Sequence, residues 1–249
     1  MKPLVHATLA DTGLTRIMEF ETPVTVPTLS TELLATADGE LNRELHSFLF
    51  DPPENRELLK GKRIAICCTN GVEQIELVGA HRWLTERGAT VHVVAPKAGP
   101  YPPTSGIQMP PMADAYVLTI RLMVNSGWVK IDQHLETARP ADYDAVLVPG
   151  GCWNPDILRM DKNAHAFLQA LHRAGKPVCA ICHGPWVLIN ANLVQGRKAT
   201  GIWNIHADLQ NAGATVVDEP VVVDGNLITA RFPYDLPRLM KALATQLVG

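Results

Sequence analysis

The sequence predicts an α/β fold: a mainly parallel sheet covered by helices on both faces, with an N-terminal arm in front of it. Two observations carry this. From Gly61 onward, short apolar runs alternate with stretches of helical spacing, and each helical crossover returns the chain to the same end of the sheet. The strands are also apolar throughout instead of alternating, as expected where both faces are covered. In such a sheet reactive groups collect at the carboxyl ends of the strands.

The first 60 residues read differently from the rest. Thr22-Pro23-Val24-Thr25-Val26-Pro27 looks extended, and Thr31 to Phe50 can form an amphipathic helix through Leu33, Leu34, Leu41, Leu45 and Phe48. This arm is too thin in apolar residues for a core of its own. It must pack on the main domain or on a second subunit, or stay mobile. The domain itself spans 61–249. Arg63 to Cys68 is a buried strand, Val72 to Arg87 a helix closed by Gly88, and Thr90 to Ala95 the next strand. Lys97 to Leu118 carries five prolines and is read as an inserted loop, either a lid or a plain surface excursion. Then come a strand at Ala145 to Val148, a helix from Asp156 to Ala174 closed by Gly175, a strand at Pro177 to Ile181 and a helix from Pro185. Val221 to Thr229 reads as a hairpin through Asp224-Gly225-Asn226, and Leu236 to Val248 as the closing helix.

Composition limits the function classes. The chain has 22 Lys plus Arg against 25 Asp plus Glu, a net charge of −3, which gives no electrostatic reason to expect nucleic acid or an anionic membrane. No apolar run approaches the roughly 18 residues of a membrane span, and the start lacks a signal-peptide core. A cytoplasmic location is expected. The five cysteines, at 67, 68, 152, 179 and 182, show neither a disulfide framework nor zinc-ligand spacing, and the histidines form no compact cluster. No metal and no cofactor are expected.

Chemistry concentrates at Cys182. In Val178-Cys179-Ala180-Ile181-Cys182-His183-Gly184-Pro185-Trp186 an apolar strand breaks into a turn and a helix starts at once. Such an elbow holds its central side chain over the end of the sheet and aims the following N–H groups at what that side chain attacks. His183 and the following helix are expected to lower the thiol pKa. The alternative is a small buried residue ending a core strand, the better reading for Cys179.

Three segments can face Cys182. Glu73 and Glu76 lie three residues apart on one helical turn, either as acid–base groups or as ordinary acidic residues at a helix start. Gly150-Gly151-Cys152-Trp153 is a glycine turn. The Gly151 amide, with that of His183, can form an oxyanion hole, and Cys152 on the same rim is a candidate second thiol. Ile202, Trp203 and Trp186 are candidates for the pocket wall, although tryptophans more often pack in a core. His206 reads as a helix-surface residue.

In combination, Gly-Val-Glu-Gln-Ile-Glu-Leu at 71–77, Tyr-Asp-Ala-Val-Leu-Val-Pro-Gly-Gly at 143–151, Gly-Lys-Pro-Val-Cys-Ala-Ile-Cys-His-Gly-Pro-Trp at 175–186, Gly-Arg-Lys-Ala-Thr at 196–200 and Val-Val-Val-Asp-Gly-Asn-Leu-Ile-Thr-Ala-Arg at 221–231 resemble the PfpI/ThiJ superfamily. The resemblance runs from about Gly61 to the end of the chain. It implies a flavodoxin-like α/β sandwich, a nucleophilic Cys182, a protonated glutamate beside its sulfur (Glu76, with Glu73 at another acidic family position) and homodimers or larger assemblies. His183 directly after the cysteine places the chain in the PfpI-like branch. There an acid from the adjacent subunit can orient the histidine; Asp156 matches that position across a one-residue shift and would be the third member of a shared triad, or else a helix N-cap. Where the branch often has a tyrosine after Lys-Ala-Thr, this chain has Ile202 with Trp203 beside it.

The expected activity is that of a cofactor-independent cysteine enzyme acting on a small electrophilic substrate, as a hydrolase, hydratase or glyoxalase III-like lyase. The alternative is a redox-sensing, stress-protective chaperone or deglycase-type protein using the same cysteine. The arm is expected to lie across a partner subunit and help complete the site there.

Overall fold

The computed structural model describes residues 40–97, 104, 115–121 and 124–249. The described elements, numbered in chain order, are α1 (Glu40–Phe50), β1 (Arg63–Cys67), β2 (Val72–Glu73), a π-helical turn (Ile75–Gly79), α2 (Ala80–Glu86), β3 (Thr90–Ala95), β4 (Tyr116–Arg121), β5 (Val124–Lys130) and β6 (Gln133–His134). They continue with β7 (Ala145–Val148), α3 (Trp153–Leu158), α4 (Lys162–Arg173), β8 (Val178–Ile181), α5 (Pro185–Asn190), β9 (Lys198–Ala199), α6 (His206–Asn211), β10 (Thr215–Val216), β11 (Val221–Asp224), β12 (Leu227–Ala230) and α7 (Leu236–Val248). Seven strands form one sheet in the order β11-β12-β8-β7-β1-β3-β6, and every pair but the β11/β12 hairpin is parallel.

Both faces of the sheet are covered because its strands are apolar on both. In β1, Ile64 and Ile66 point into a layer with Leu77, Leu84, Leu239 and Leu243 of the π turn, α2 and α7. Ala65 and Cys67 point the other way, toward Leu158, Phe167, Leu168 and Leu188 of α3, α4 and α5. Period-2 side chains on an apolar strand thus feed two cores at once.

Three elements differ from the sequence reading. Val72 to Arg87 is not one helix: Val72 and Glu73 pair in parallel with Thr119 and Ile120 of β4, forming a second, three-stranded sheet β2-β4-β5. A long-range backbone pairing overrides the local helical period there, and the chain re-enters helix through the π turn. The Asp156–Ala174 helix is two helices, because the Asp161 carboxylate accepts from Asn163 and Ala164 N–H at 2.7 and 3.0 Å and starts α4 afresh. The 97–118 segment ends early, since Tyr116 already belongs to β4. Of that expected loop, 98–103 and 105–114 lie outside the described residues, as do 1–39 of the arm, including the extended run at 22–27.

The described part of the arm, α1, packs on its own domain. Leu45 is fully buried, Phe48 stacks on Trp83 with ring centroids 6.0 Å apart, and Arg238 Nε donates to Glu44 at 2.9 Å. Leu45→Ala is therefore expected to lower unfolding free energy by about 2–5 kcal/mol, read from the urea midpoint. A change within a few tenths of a kcal/mol would show α1 to be a passenger. Among the described residues no helix is long and apolar enough to cross a membrane.

Candidate active site

The elbow is real backbone geometry. Strand β8 lies between β7 and β12, and at its carboxyl end Cys182 adopts φ = 61°, in the left-handed region. A side-chain-bearing residue held there is strained by about 1–3 kcal/mol, and it persists only where its surroundings over-determine it. Here both its peptide groups are tied: Cys182 N–H donates to Ala230 O at 3.1 Å, and its carbonyl accepts from Ile202 N–H at 3.0 Å. The chain then turns directly into α5.

The π turn brings a carboxyl to the sulfur. Extra winding at Ile75–Gly79 rotates Glu76 into the interior, where it has no solvent exposure. Its Oε2 accepts from Gly150 N–H at 2.5 Å. Gly150 is required at this point: a Cβ there would lie 2.6 Å from Cys182 Cβ and 3.0 Å from Glu76 Oε2. Its neighbour Gly151, at φ = 90°, would drive a Cβ into the Gly71 carbonyl and to 2.7 Å from Glu73 N. Burial, reinforced by the Glu73 charge, raises the Glu76 pKa to about 8 against the pull of the Gly150 and Cys182 hydrogen bonds. At neutral pH Glu76 is a protonated acid.

The electrostatics of the sulfur correct one expectation. Sequence reading made Cys182 a thiol lowered by an imidazolium and a helix start. Instead its pKa is raised well above the ordinary value, first by burial and then by the Glu76 and Glu73 carboxylates. His183 offers no positive charge, because its own burial lowers its pKa, and α5 has six residues. What favours the thiolate is a pair of backbone donors: the Gly151 and His183 amides, expected to face an oxyanion, hydrogen-bond the sulfur itself. Cys182 is 6 % exposed.

His183 lies against the nucleophile. Its Nδ1 is 3.3 Å from Cys182 Sγ, and its Nε2 is 3.3 Å from Asn204 Nδ2, a neighbour that sequence reading did not single out. Trp186 supports the ring from 5.3 Å, centroid to centroid, and anchors its own Nε1 on Asp208 at 2.8 Å.

A cavity of about 40 Å³ opens onto the sulfur. Glu73, Glu76, Gly151, Cys152 and Ile202 line it as anticipated, together with Phe232 and Pro233, which the return of β12 to the elbow brings in. Gly150 shapes the floor from behind. Trp153 and Trp203 are each 51 % exposed and are not among the lining residues; Trp203 instead donates from Nε1 to Asp218 at 3.1 Å. Cys152 is exposed at the rim, and burial and Glu73 raise its pKa, so nothing there activates it. Asp156 is exposed on α3, with no contact to His183 of its own chain among the hydrogen bonds that hold the ring. His206 is half-buried, with Nε2 3.0 Å from Gly201 O. A far larger groove, about 810 Å³ between α1 and α7, contains no thiol, so volume does not locate the chemistry. Among the described residues, no group of three or more His, Cys, Asp or Glu is placed to hold a metal ion.

The fold and the elbow together define a flavodoxin-like α/β protein with a buried cysteine at the strand-to-helix turn. Residues 62–246 match the family model of the DJ-1/PfpI family, and the chain belongs to that family. It is 36 % identical over 178 residues to General stress protein 18 of Bacillus subtilis, covering 71 % of this chain and 92 % of that one. Drosophila melanogaster DJ-1beta superposes with a TM-score of 0.63 at 25 % identity, covering 76 % of this chain and 91 % of that one. A two-domain protein of Anabaena variabilis, with DJ-1/ThiJ/PfpI-like and ferritin-like domains, gives 0.62 at 33 % identity over 75 % of this chain; the match spans 48 % of that longer chain.

Proposed function

We propose that the protein is a cofactor-independent enzyme in which Cys182 attacks a small, uncharged electrophilic carbon. The observation that carries this reading is the sulfur at the floor of a small cavity, between a carboxyl that is protonated at neutral pH and the two N–H donors of Gly151 and His183. Such a cavity holds on the order of three waters, which favours substrates of a few heavy atoms. Two carboxyls and no Lys or Arg line it, so an anionic substrate has no counter-charge.

With a carbonyl substrate, the Cys182 sulfur bonds to the carbon while Glu76 gives its proton to the carbonyl oxygen and takes the thiol proton in return. The product is a hemithioacetal, and Glu76 ends as it began. From a 2-oxoaldehyde this adduct opens the internal isomerisation to a 2-hydroxy acid; an ester or amide would instead expel its alcohol or amine to leave a thioester that water hydrolyses, and an isonitrile carbon would give a thioimidate that water hydrates. We further propose that the protein is cytoplasmic and forms a homodimer or larger homo-oligomer, with no nucleic-acid or membrane partner, and that Asp156 lies toward the partner subunit.

A second reading, a thiol sensor or stress-protective protein, is favoured by the name of the Bacillus subtilis relative, General stress protein 18. One experiment separates the two. Incubation with small 2-oxoaldehydes, activated esters, amides and isonitriles, followed by intact mass, should give adducts at Cys182 and product formation. Oxygen addition to Cys182 with no adduct and no product would replace the enzyme reading with the sensor.

A further inference from the structure

The proposed nucleophile has a histidine beside it, and a histidine is useful only in one tautomer at a time. What sets the tautomer is the group bonded to the far nitrogen. Here that group is the side-chain amide of Asn204. Asn204 Nδ2 is 3.3 Å from His183 Nε2, while Nδ1 on the other side of the ring is 3.3 Å from Cys182 Sγ. An amide nitrogen can only donate. It therefore fills the Nε2 lone pair, leaves the ring proton on Nδ1, and points that proton at the sulfur.

The placement of Asn204 is not accidental. It sits in the short 3₁₀ turn Trp203–Ile205, and this turn is tied to the elbow itself. Ile202 N–H donates to the carbonyl of Cys182 at 3.0 Å, and Ile205 N–H closes the turn on Ile202 O at 3.0 Å. Ile205 is fully buried and pins the turn from below. His206 Nε2 bonds Gly201 O at 3.0 Å, and Trp203 Nε1 bonds Asp218. The backbone that strains Cys182 is thus the backbone that carries the amide to its histidine.

We propose that Asn204 is the positioning residue of this site: it fixes neutral His183 as the Nδ1–H tautomer, directed at the Cys182 sulfur, and completes the Cys-His-Asn arrangement within one chain. This rests on the reading of Cys182 as a nucleophile, and it alters the division of labour there. A ring already protonated on Nδ1 cannot take the thiol proton. That exchange falls to Glu76, and His183 becomes a donor that holds the sulfur.

The test reads the ring directly. In long-range ¹H–¹⁵N spectra of the full chain, with the His183 signals assigned by their loss in His183→Ala, the wild-type ring should show the Nδ1–H pattern. Asn204→Ala should shift it toward Nε2–H. Alkylation of Cys182 by iodoacetamide at one fixed pH should slow roughly three- to tenfold in Asn204→Ala, the range expected for one hydrogen bond. The same substitution made in a His183→Ala background should have no further effect, since a positioning residue acts through its partner. An Nε2–H pattern in the wild type would overturn the proposal without any variant. Equal slowing by Asn204→Ala with and without His183 would also overturn it. Neither readout depends on a substrate, so absence of turnover would fail the enzyme reading and leave this one standing.

Discussion

Cys182→Ser is expected to lower turnover of any accepted electrophile by on the order of 10⁴-fold or more, as removal of a nucleophile does in enzymes that act through one, and to abolish the covalent mass adduct. The substitution changes one atom and keeps the backbone. Serine at φ = 61° meets the same strain as cysteine, and the ties to Ala230 and Ile202 are backbone bonds, so the melting temperature should stay within a few degrees. The reason for the loss is chemical. A hydroxyl has a far higher pKa than a thiol, and in a site where burial already opposes ionisation, two amide donors cannot make it an alkoxide. Near-wild-type turnover in the serine protein would remove the nucleophile from the proposal.

Glu76→Gln should separate catalysis from stability. Glutamine mimics the protonated acid: its Oε1 can accept from Gly150 N–H and its amide can donate toward the sulfur, so the fold is kept. It has no proton to exchange, and turnover should fall by roughly 10²- to 10⁴-fold, the usual contribution of a positioned acid–base group. The pH dependence gives a second reading. The folded pKa of Glu76, about 8, lies above the ordinary glutamate value of 4.5, so between these values the unfolded chain binds fewer protons than the folded one. Stability then falls as pH rises through that window, by up to about 1.4 kcal/mol per unit, and levels off above it. His81, His172 and His183, whose pKa values are lowered, work in the opposite sense, but equally in both proteins. Urea unfolding at pH 5 and pH 8 should therefore show the wild type losing more stability than Glu76→Gln. Identical losses would mean that Glu76 is ionised in the folded protein.

Elements whose fate is decided locally were legible in the sequence. The apolar runs at β1, β3 and β7, the Asp-Gly-Asn hairpin and the amphipathic closing helix stand where spacing placed them, because no distant partner competes for them. Val72 and Glu73 were not legible as a strand. Their partner, β4, lies more than forty residues on, and without it the run from Ile75 to Leu84 reads as uninterrupted helix. Yet that pairing and the π turn after it aim Glu76 inward. Within the site, the motif residues Cys182, His183, Glu73, Glu76 and Gly151 could be read from their segments. Asn204, which reaches His183, and Phe232 and Pro233, which line the cavity, could not, since tertiary contacts that no local pattern encodes bring each of them there. The sign of the thiol shift was misjudged for a related reason. Charges next to Cys182 in sequence were counted, whereas burial and carboxylates from another element prevail.

The left-handed backbone of Cys182 also bears on how this protein would fail on heating. Its two restraints come from different neighbours, β12 through Ala230 and the 201–205 turn through Ile202. The turn is short and presents Trp203 and Asn204 to solvent, and segments of this kind open at free energies well below that of the whole domain. Once Ile202 lets go, the cysteine can relax to an ordinary φ, swinging its sulfur off the amides while the seven-stranded sheet stays intact. Loss of function should then run ahead of loss of structure. A warmed sample would retain its circular dichroism after its chemistry had stopped, and prompt cooling would restore it.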